Sequence, residues 1–165
     1  MENRKVKKLT ICSVFTALAL ILSYVESLVP TFFAIPGIKL GLANLVIIVA
    51  LYILGTKEAI LINLVRILLS SVLFGNGVGL AYSIAGAALS LLVMIFLKRS
   101  KKVSKITVSI CGGVFHNIGQ ILVAVILVGN NGILWYLAIL WVAGIVSGAM
   151  IGLLSGLVIK RIRIS

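Results

Sequence analysis

The chain has 165 residues, 62% of them hydrophobic and 11% charged, with a mean hydropathy of +1.29. A fold of this size leaves much of its surface exposed, so it cannot hide that much apolar area in water; the composition excludes a soluble globular protein and marks an integral membrane one. The formal net charge of +12 does not point to nucleic acid, because the basic residues form short caps on apolar segments with no aromatic-basic module beside them.

Six apolar segments follow one another at about 9–29, 40–54, 58–74, 78–97, 105–128 and 133–159, predicting one all-α transmembrane domain over residues 1–165. Arg4, Lys5, Lys7 and Lys8 precede the first, and Lys57 sits in the turn before the third. Lys98, Arg99, Lys101, Lys102 and Lys105 fill the gap before the fifth, and Lys160, Arg161 and Arg163 follow the last. With six spans, all but Lys39 and Arg66 of the 15 Lys and Arg fall on one side, which the positive-inside rule makes the cytoplasm. Both termini are expected there, in a multi-pass protein of the cell membrane whose basic caps meet anionic lipid headgroups.

Segment 1 begins like a signal peptide, but it is longer than a signal core and ends in Tyr24-Val25-Glu26-Ser27 without a small-residue cleavage site. It reads as an uncleaved first helix. Glu26 lies shortly before Pro30, and the stretch to Lys39, with Pro36 and Gly37, reads as an ordered or gating loop on the outer face. Segment 2 is short for a full span, at roughly 22 Å of helix. Gly55-Thr56-Lys57-Glu58 reads as a tight inner turn with Thr56 as a candidate N-cap. Segment 3 places Asn63 and Arg66 three residues apart, with Ser70 one turn on and Arg66 near mid-membrane. Gly75-Asn76-Gly77 is an outer turn. Segment 4 carries two rows of small residues, Gly79, Ser83 and Ala87 in one, Gly86 and Ser90 in the other.

Segment 5 contains Cys-Gly-Gly-Val-Phe-His-Asn-Ile-Gly-Gln at 111–120, and there His116, Asn117 and Gln120 share a broad helix face. Polar side chains at that depth must face protein or a wet cavity. Segment 6 has Gly144, Gly148, Gly152 and Gly156 at four-residue spacing, a ridge that permits close helix approach and is read as packing within the chain in preference to homodimerisation. Cys12 and Cys111 read as small packing residues, not as a disulfide.

A mid-membrane guanidinium must find acceptors, so Arg66 either locks into an interhelical network with Asn63, Asn117, Gln120 or Glu26, or meets an anionic ligand. Lys39 and Asn44 either mark a mouth leading to that depth or are ordinary interfacial residues. His116 is the only histidine and the chain has no aspartate, so neither a metal site nor an oriented nucleophile–base pair is expected. The only acids are Glu2, Glu26 and Glu58, and no nucleotide fingerprint exists; no catalysis, no cofactor and no ATP binding are expected, and active transport has to borrow its energy.

Pro36-Gly37-Ile38-Lys39-Leu40-Gly41-Leu42-Ala43-Asn44, Arg66 with Leu68-Leu69-Ser70, and His116-Asn117-Ile118-Gly119-Gln120 resemble the bacterial Gx transporter family, also catalogued as heptaprenyl diphosphate synthase component I. That family in turn resembles the substrate-binding S components of energy-coupling factor (ECF) transporters. The resemblance implies a six-helix bundle with cytoplasmic termini and a pocket reached from outside, capped by the loop between helices 1 and 2. It also implies a transmembrane coupling subunit with ABC-type ATPases as partners, docked on a small-residue face of helix 1, where Ser13 and Ala17 hold the four-residue spacing.

The leading expectation is therefore capture of a small extracellular solute by the 30–44 stretch and helices 1, 3 and 5. Glu26, Lys39, Asn44, Asn63, Arg66, His116, Asn117 and Gln120 are the candidate binding residues. The alternative is a non-catalytic accessory protein of isoprenoid or quinone synthesis that holds a lipid diphosphate; synthases of that kind use aspartate-rich magnesium motifs, which this chain lacks. A third reading, a membrane scaffold, uses the glycine ridge but leaves the polar mid-membrane residues idle.

Overall fold

The computed structural model describes residues 2–28, 41–100, 102–129, 132 and 135–164. Pro30, Pro36 and Lys39 lie outside the described residues. Six helices follow in order: α1 (Glu2–Leu28), α2 (Leu42–Ile53), α3 (Thr56–Phe74), α4 (Gly77–Arg99), α5 (Lys105–Val128) and α6 (Tyr136–Ile164). Among the described residues there is no strand. The helices match the apolar segments, but α1 starts earlier and α6 ends later than hydropathy alone predicts. Lys5 to Lys8 and Lys160 to Arg163 are good helix formers and continue the ladder beyond the apolar run.

Local chemistry sets the ends. The Asn76 side chain accepts from Gly79 N–H at 2.7 Å to start α4, and Ser104 accepts from Thr107 N–H at 3.1 Å to start α5. Gly129, at φ 65°, closes α5 in the left-handed conformation. Thr56 is not the N-cap of α3 but its first residue. The turn needs φ 120° at the preceding position, and only Gly55 adopts that without strain.

The bundle is organised around α2. Every residue from Val46 to Leu51 is buried, so this 12-residue helix is apolar on all sides and packed among α1, α3 and α6. Ile47, Ile48 and Leu51 join Cys12 of α1, Ile62 of α3, Leu91 and Met94 of α4, Val108 of α5 and Ile151 of α6 in one core. Four helices, α1, α4, α5 and α6, are long and apolar enough to cross a membrane. The short α2 is not, and α3 carries Lys57, Glu58 and Arg66. Large apolar side chains cover the outside, with Val72, Ile126 and Trp135 each more than three-quarters exposed, a surface suited to lipid.

Two ends of the bundle differ sharply. At the end holding the chain termini, Lys8 pairs with Glu58, joining α1 to α3. There Lys98 donates to Leu51 O at 2.5 Å, and the ammonium groups of Lys98 and Lys105 lie 5.4 and 5.8 Å from the Tyr52 ring centre. At the far end the rings of Tyr24 and Phe74 meet edge to face with centres 5.5 Å apart, joining α1 and α3 again.

The helices α4, α5 and α6 form a tight sheet of three. A Cβ on Gly144 would meet Gly113 backbone at 3.1 Å, one on Gly148 would meet Ile110 Cα at 2.7 Å, and one on Gly152 would meet Ile106 Cα at 2.8 Å. The ridge thus packs within the chain against α5, as its spacing predicts. Gly156 departs from that expectation: nothing lies within 4 Å of its Cβ position, because α5 begins only at Lys105 and the glycine row runs past its end, while Ser155 and Ile159 on another face of α6 stay fully buried. On the other side of α5, Gly119 approaches Ala85 O and Gly86 Cα of α4 as closely.

Candidate functional site

A cavity of about 190 Å³ opens in the half of the bundle remote from the basic end. All six helices or their first turns contribute, so α4 and α6 belong to the wall together with α1, α3, α5 and the start of α2. Of the residues expected to bind, Glu26, Asn44, Arg66, His116 and Asn117 line it. Asn63 and Gln120 do not. Asn63 is buried behind Arg66, and Gln120, one turn beyond His116 on α5, is buried outside the wall.

Arg66 is the best-defined group. Its Nη2 donates to Asn63 Oδ1 at 2.6 Å, a charge-assisted bond within one turn of α3, and its Nη1 reaches Ser23 Oγ of α1 at a long 3.4 Å. Its Nε is buried and has no acceptor among the described residues. Two bonds to neighbouring side chains fix the plane of the guanidinium, and of its three nitrogens only Nε is left without an acceptor among the described residues.

Glu26 stands at the same cavity in the last turns of α1, where its Oε1 accepts from Gly41 N–H at 2.5 Å. Gly41, at φ 75°, is the residue that starts α2, so a carboxylate from α1 caps the positive end of the central helix. That bond fixes where α2 begins relative to α1.

The α5 residues diverge more than one shared face suggests. His116 lies against α4, where a Cβ on Gly86 would sit 2.9 Å from its Cε1; the absence of a side chain at 86 is what lets the imidazole occupy that place. Asn117 points the other way, its Nδ2 donating to Leu140 O of α6 at 2.6 Å. One residue thus serves the α4 side and the next the α6 side, and both reach the wall.

What the sequence reading missed is serine. Ser23, Ser27, Ser71, Ser83 and Ser147 line the cavity along with Ser70. Serine is common in apolar helices, where its hydroxyl satisfies itself on the preceding turn, so no single one stands out. Their shared orientation emerges only when the helices are assembled. A smaller void of about 20 Å³ continues below, bounded by Ser90, Ser109 and Met94, and Ser109 Oγ is buried there without a partner among the described residues.

Ser13 and Ala17 are exposed on the outer side of α1, and the Ser13 hydroxyl is occupied by Leu9 O at 3.0 Å. No group of three or more metal-ligating side chains occurs among the described residues.

A family model described as heptaprenyl diphosphate synthase component I matches residues 15–158, a span that contains every residue of the cavity wall. The chain belongs to this family. No curated protein and no solved structure matches it significantly. The apolar six-helix bundle, with four helices long and apolar enough to cross a bilayer, is that of a membrane protein with an outer face suited to lipid.

Proposed function

We propose that the chain is a membrane solute-capture subunit that binds a small solute bearing an anionic group, with the work of transport supplied by separate coupling and ATPase subunits. Arg66 carries this reading. An ion buried with an unsatisfied donor costs about 1–3 kcal/mol or more, and the cost is removed when a carboxylate or phosphate enters and accepts from Nε. Asn63 and Ser23 supply the preorganisation that makes such capture efficient. The cavity lies away from the basic end of the bundle; with that end in the cytoplasm, as the positive-inside rule has it, the cavity faces outward. The exposed Ser13 and Ala17 face of α1 is the proposed seat of the coupling subunit. The chain itself carries no catalysis in this reading, consistent with its three glutamates and absent aspartate.

The family's description favours a second reading, a non-catalytic accessory of prenyl diphosphate synthesis that partners a synthase. The size of the cavity counts against a prenyl lipid lodged inside it. About 190 Å³ lies below the roughly 300–1,000 Å³ of pockets that take drug-sized ligands, and seven isoprene units exceed such a ligand. In that reading the lipid lies against the helices and only its headgroup approaches Arg66.

Gentle purification from the native membrane, with mass spectrometry of co-purifying proteins and small molecules, separates the two. A coupling subunit with ATPases and a polar solute supports capture for transport; a prenyl synthase with a lipid diphosphate overturns it. Arg66→Ala protein that folds and retains the solute also overturns it.

A further inference from the structure

We infer that the solute is a small zwitterion, of the size and charge pattern of an amino acid, bound with its acidic group on Arg66 and its protonated amine toward Glu26. The inference rests on the capture reading above and adds the second charge.

The first argument is electrostatic. Among the described residues of the wall, Arg66 and Glu26 are the only ones with a full charge, one of each sign. A simple anion drawn to Arg66 enters the same confined space as the Glu26 carboxylate, and in a cavity walled by apolar helices that repulsion is weakly screened. A solute with both charges meets Arg66 and Glu26 without leaving either opposed by a like charge.

The second argument counts donors and acceptors. Ser27 gives its hydroxyl proton to Tyr24 O at 2.7 Å, Ser70 gives its own to Ile67 O at 3.0 Å, and Ser71 gives its own to Asn76 O at 3.2 Å. A serine whose proton is spent on a carbonyl presents only lone pairs to the cavity. Asn117 likewise spends an amide N–H on Leu140 O and retains its Oδ1 as an acceptor. The oxygens of Ser27, Ser70, Ser71 and Asn117 thus call for a ligand that brings donors, and an ammonium group brings three; Ser23, whose oxygen accepts from Arg66, keeps its proton for the acid group on the Arg66 side. The volume, about 190 Å³, lies below the roughly 300–1,000 Å³ of pockets for drug-sized ligands and suits such a molecule.

The test uses the purified full chain in lipid nanodiscs, with thermal stabilisation and calorimetric titration as readouts. The probes are the standard amino acids, their N-acetyl derivatives, the corresponding decarboxylated amines, and the 2-hydroxy acids glycolate, lactate and malate. The expected result is at least one free amino acid bound at least about tenfold more tightly than its N-acetyl form, its amine and the hydroxy acids. Glu26→Gln keeps an oxygen for Gly41 N–H, so it folds, and it should shrink the preference for the free over the acetylated amino acid. Arg66→Gln should weaken both. If N-acetyl or hydroxy acids bind as well as free amino acids, or if Glu26→Gln leaves the preference intact, the zwitterion is wrong while capture of an anion by Arg66 survives. If the amines bind without an acid group, or Arg66→Gln changes nothing, the capture reading fails with it. A panel in which no member binds overturns the zwitterion as well.

Discussion

The seam between α5 and α6 makes a quantitative prediction, because one helix carries both the perturbation and its control. Gly148→Ala places a methyl 2.7 Å from Ile110 Cα and 2.9 Å from Ser109 O. Both are backbone atoms of a helix and cannot rotate away. Restoring an ordinary 3.4 Å contact requires the helices to part by the difference, about 0.7 Å, and a gap of that order forfeits a quarter to a half of each dispersion well along the seam. Overpacking of this kind costs about 1–3 kcal/mol. Gly156→Ala, two turns further on in the same row, meets nothing within 4 Å and gains about 0.5–1 kcal/mol from the lower backbone entropy of alanine in the unfolded chain. The two variants should therefore differ by roughly 1.5–4 kcal/mol in opposite senses. Thermal unfolding in a single detergent, followed with a thiol-reactive dye, reads this directly, since Cys12 is buried and Cys111 partly so. At about 2–4 °C per kcal/mol the difference in Tm is readily resolved. Equal shifts for the two variants, or a greater loss for Gly156→Ala, would refute the packing argument.

Other substitutions test the site. Asn63→Leu removes the Nη2 acceptor and should destabilise the protein by about 1–3 kcal/mol while weakening solute binding, and Asn63→Asp should restore much of the stability; unchanged unfolding of the leucine variant would mean that the bond is not made. Arg66→Lys should not rescue binding, since one ammonium cannot serve Asn63, Ser23 and a ligand in the planes the guanidinium provides, and a rescued affinity in titration would contradict this. Gly86→Ala, with its methyl 2.9 Å from both the imidazole Cε1 and the backbone oxygen of His116, should displace His116, lower solute affinity and cost stability of the same order as Gly148→Ala, since backbone is met in both; unchanged unfolding would contradict this. The Lys8–Glu58 pair is largely solvated on the lysine side, so a double-mutant cycle should give a small coupling that falls further with added salt, and a large, salt-insensitive coupling would contradict this.

Which features the sequence revealed follows from how local their physics is. Apolar segments and their basic caps are read one residue at a time, and the helices fall where those runs predict. The pairing of Asn63 with Arg66 needs only helical spacing, and the structure makes that bond. The glycine row predicts close approach but not to what: that Gly144, Gly148 and Gly152 meet α5 while Gly156 meets nothing depends on where the neighbouring helix begins. Periodicity places His116 and Asn117 on one face, yet α5 is squeezed between two helices, and each adjacent residue turns to its own neighbour. The serine wall draws on four helices, and no window along the chain contains it. The role of Glu26 as the cap of α2 joins residues 15 apart across the loop between the two helices, which no local pattern encodes.

The same contrast divides the bundle into unequal halves, with consequences for how the cavity opens. Helices α4, α5 and α6 touch backbone to backbone through Gly113, Gly119, Gly144 and Gly148, and contacts that close leave no room for sliding. On the other side, α1 is only 11% buried along its span, against 22–28% for α4, α5 and α6. At the far end α1 is held to its neighbours by the Tyr24–Phe74 edge contact, the long Ser23–Arg66 bond and the Glu26–Gly41 cap. Opening of the cavity therefore falls to α1 and the start of α2, where few buried contacts are lost, and a solute that engages Arg66 and Glu26 would tie both back to α3. Hydrogen–deuterium exchange should show backbone protection rising on solute binding in the last turns of α1 and the first turn of α2, with α5 slow throughout. Uniform protection gained across all six helices would instead mean that the bundle closes as one body, and the glycine seam would not be the fixed frame it is argued to be.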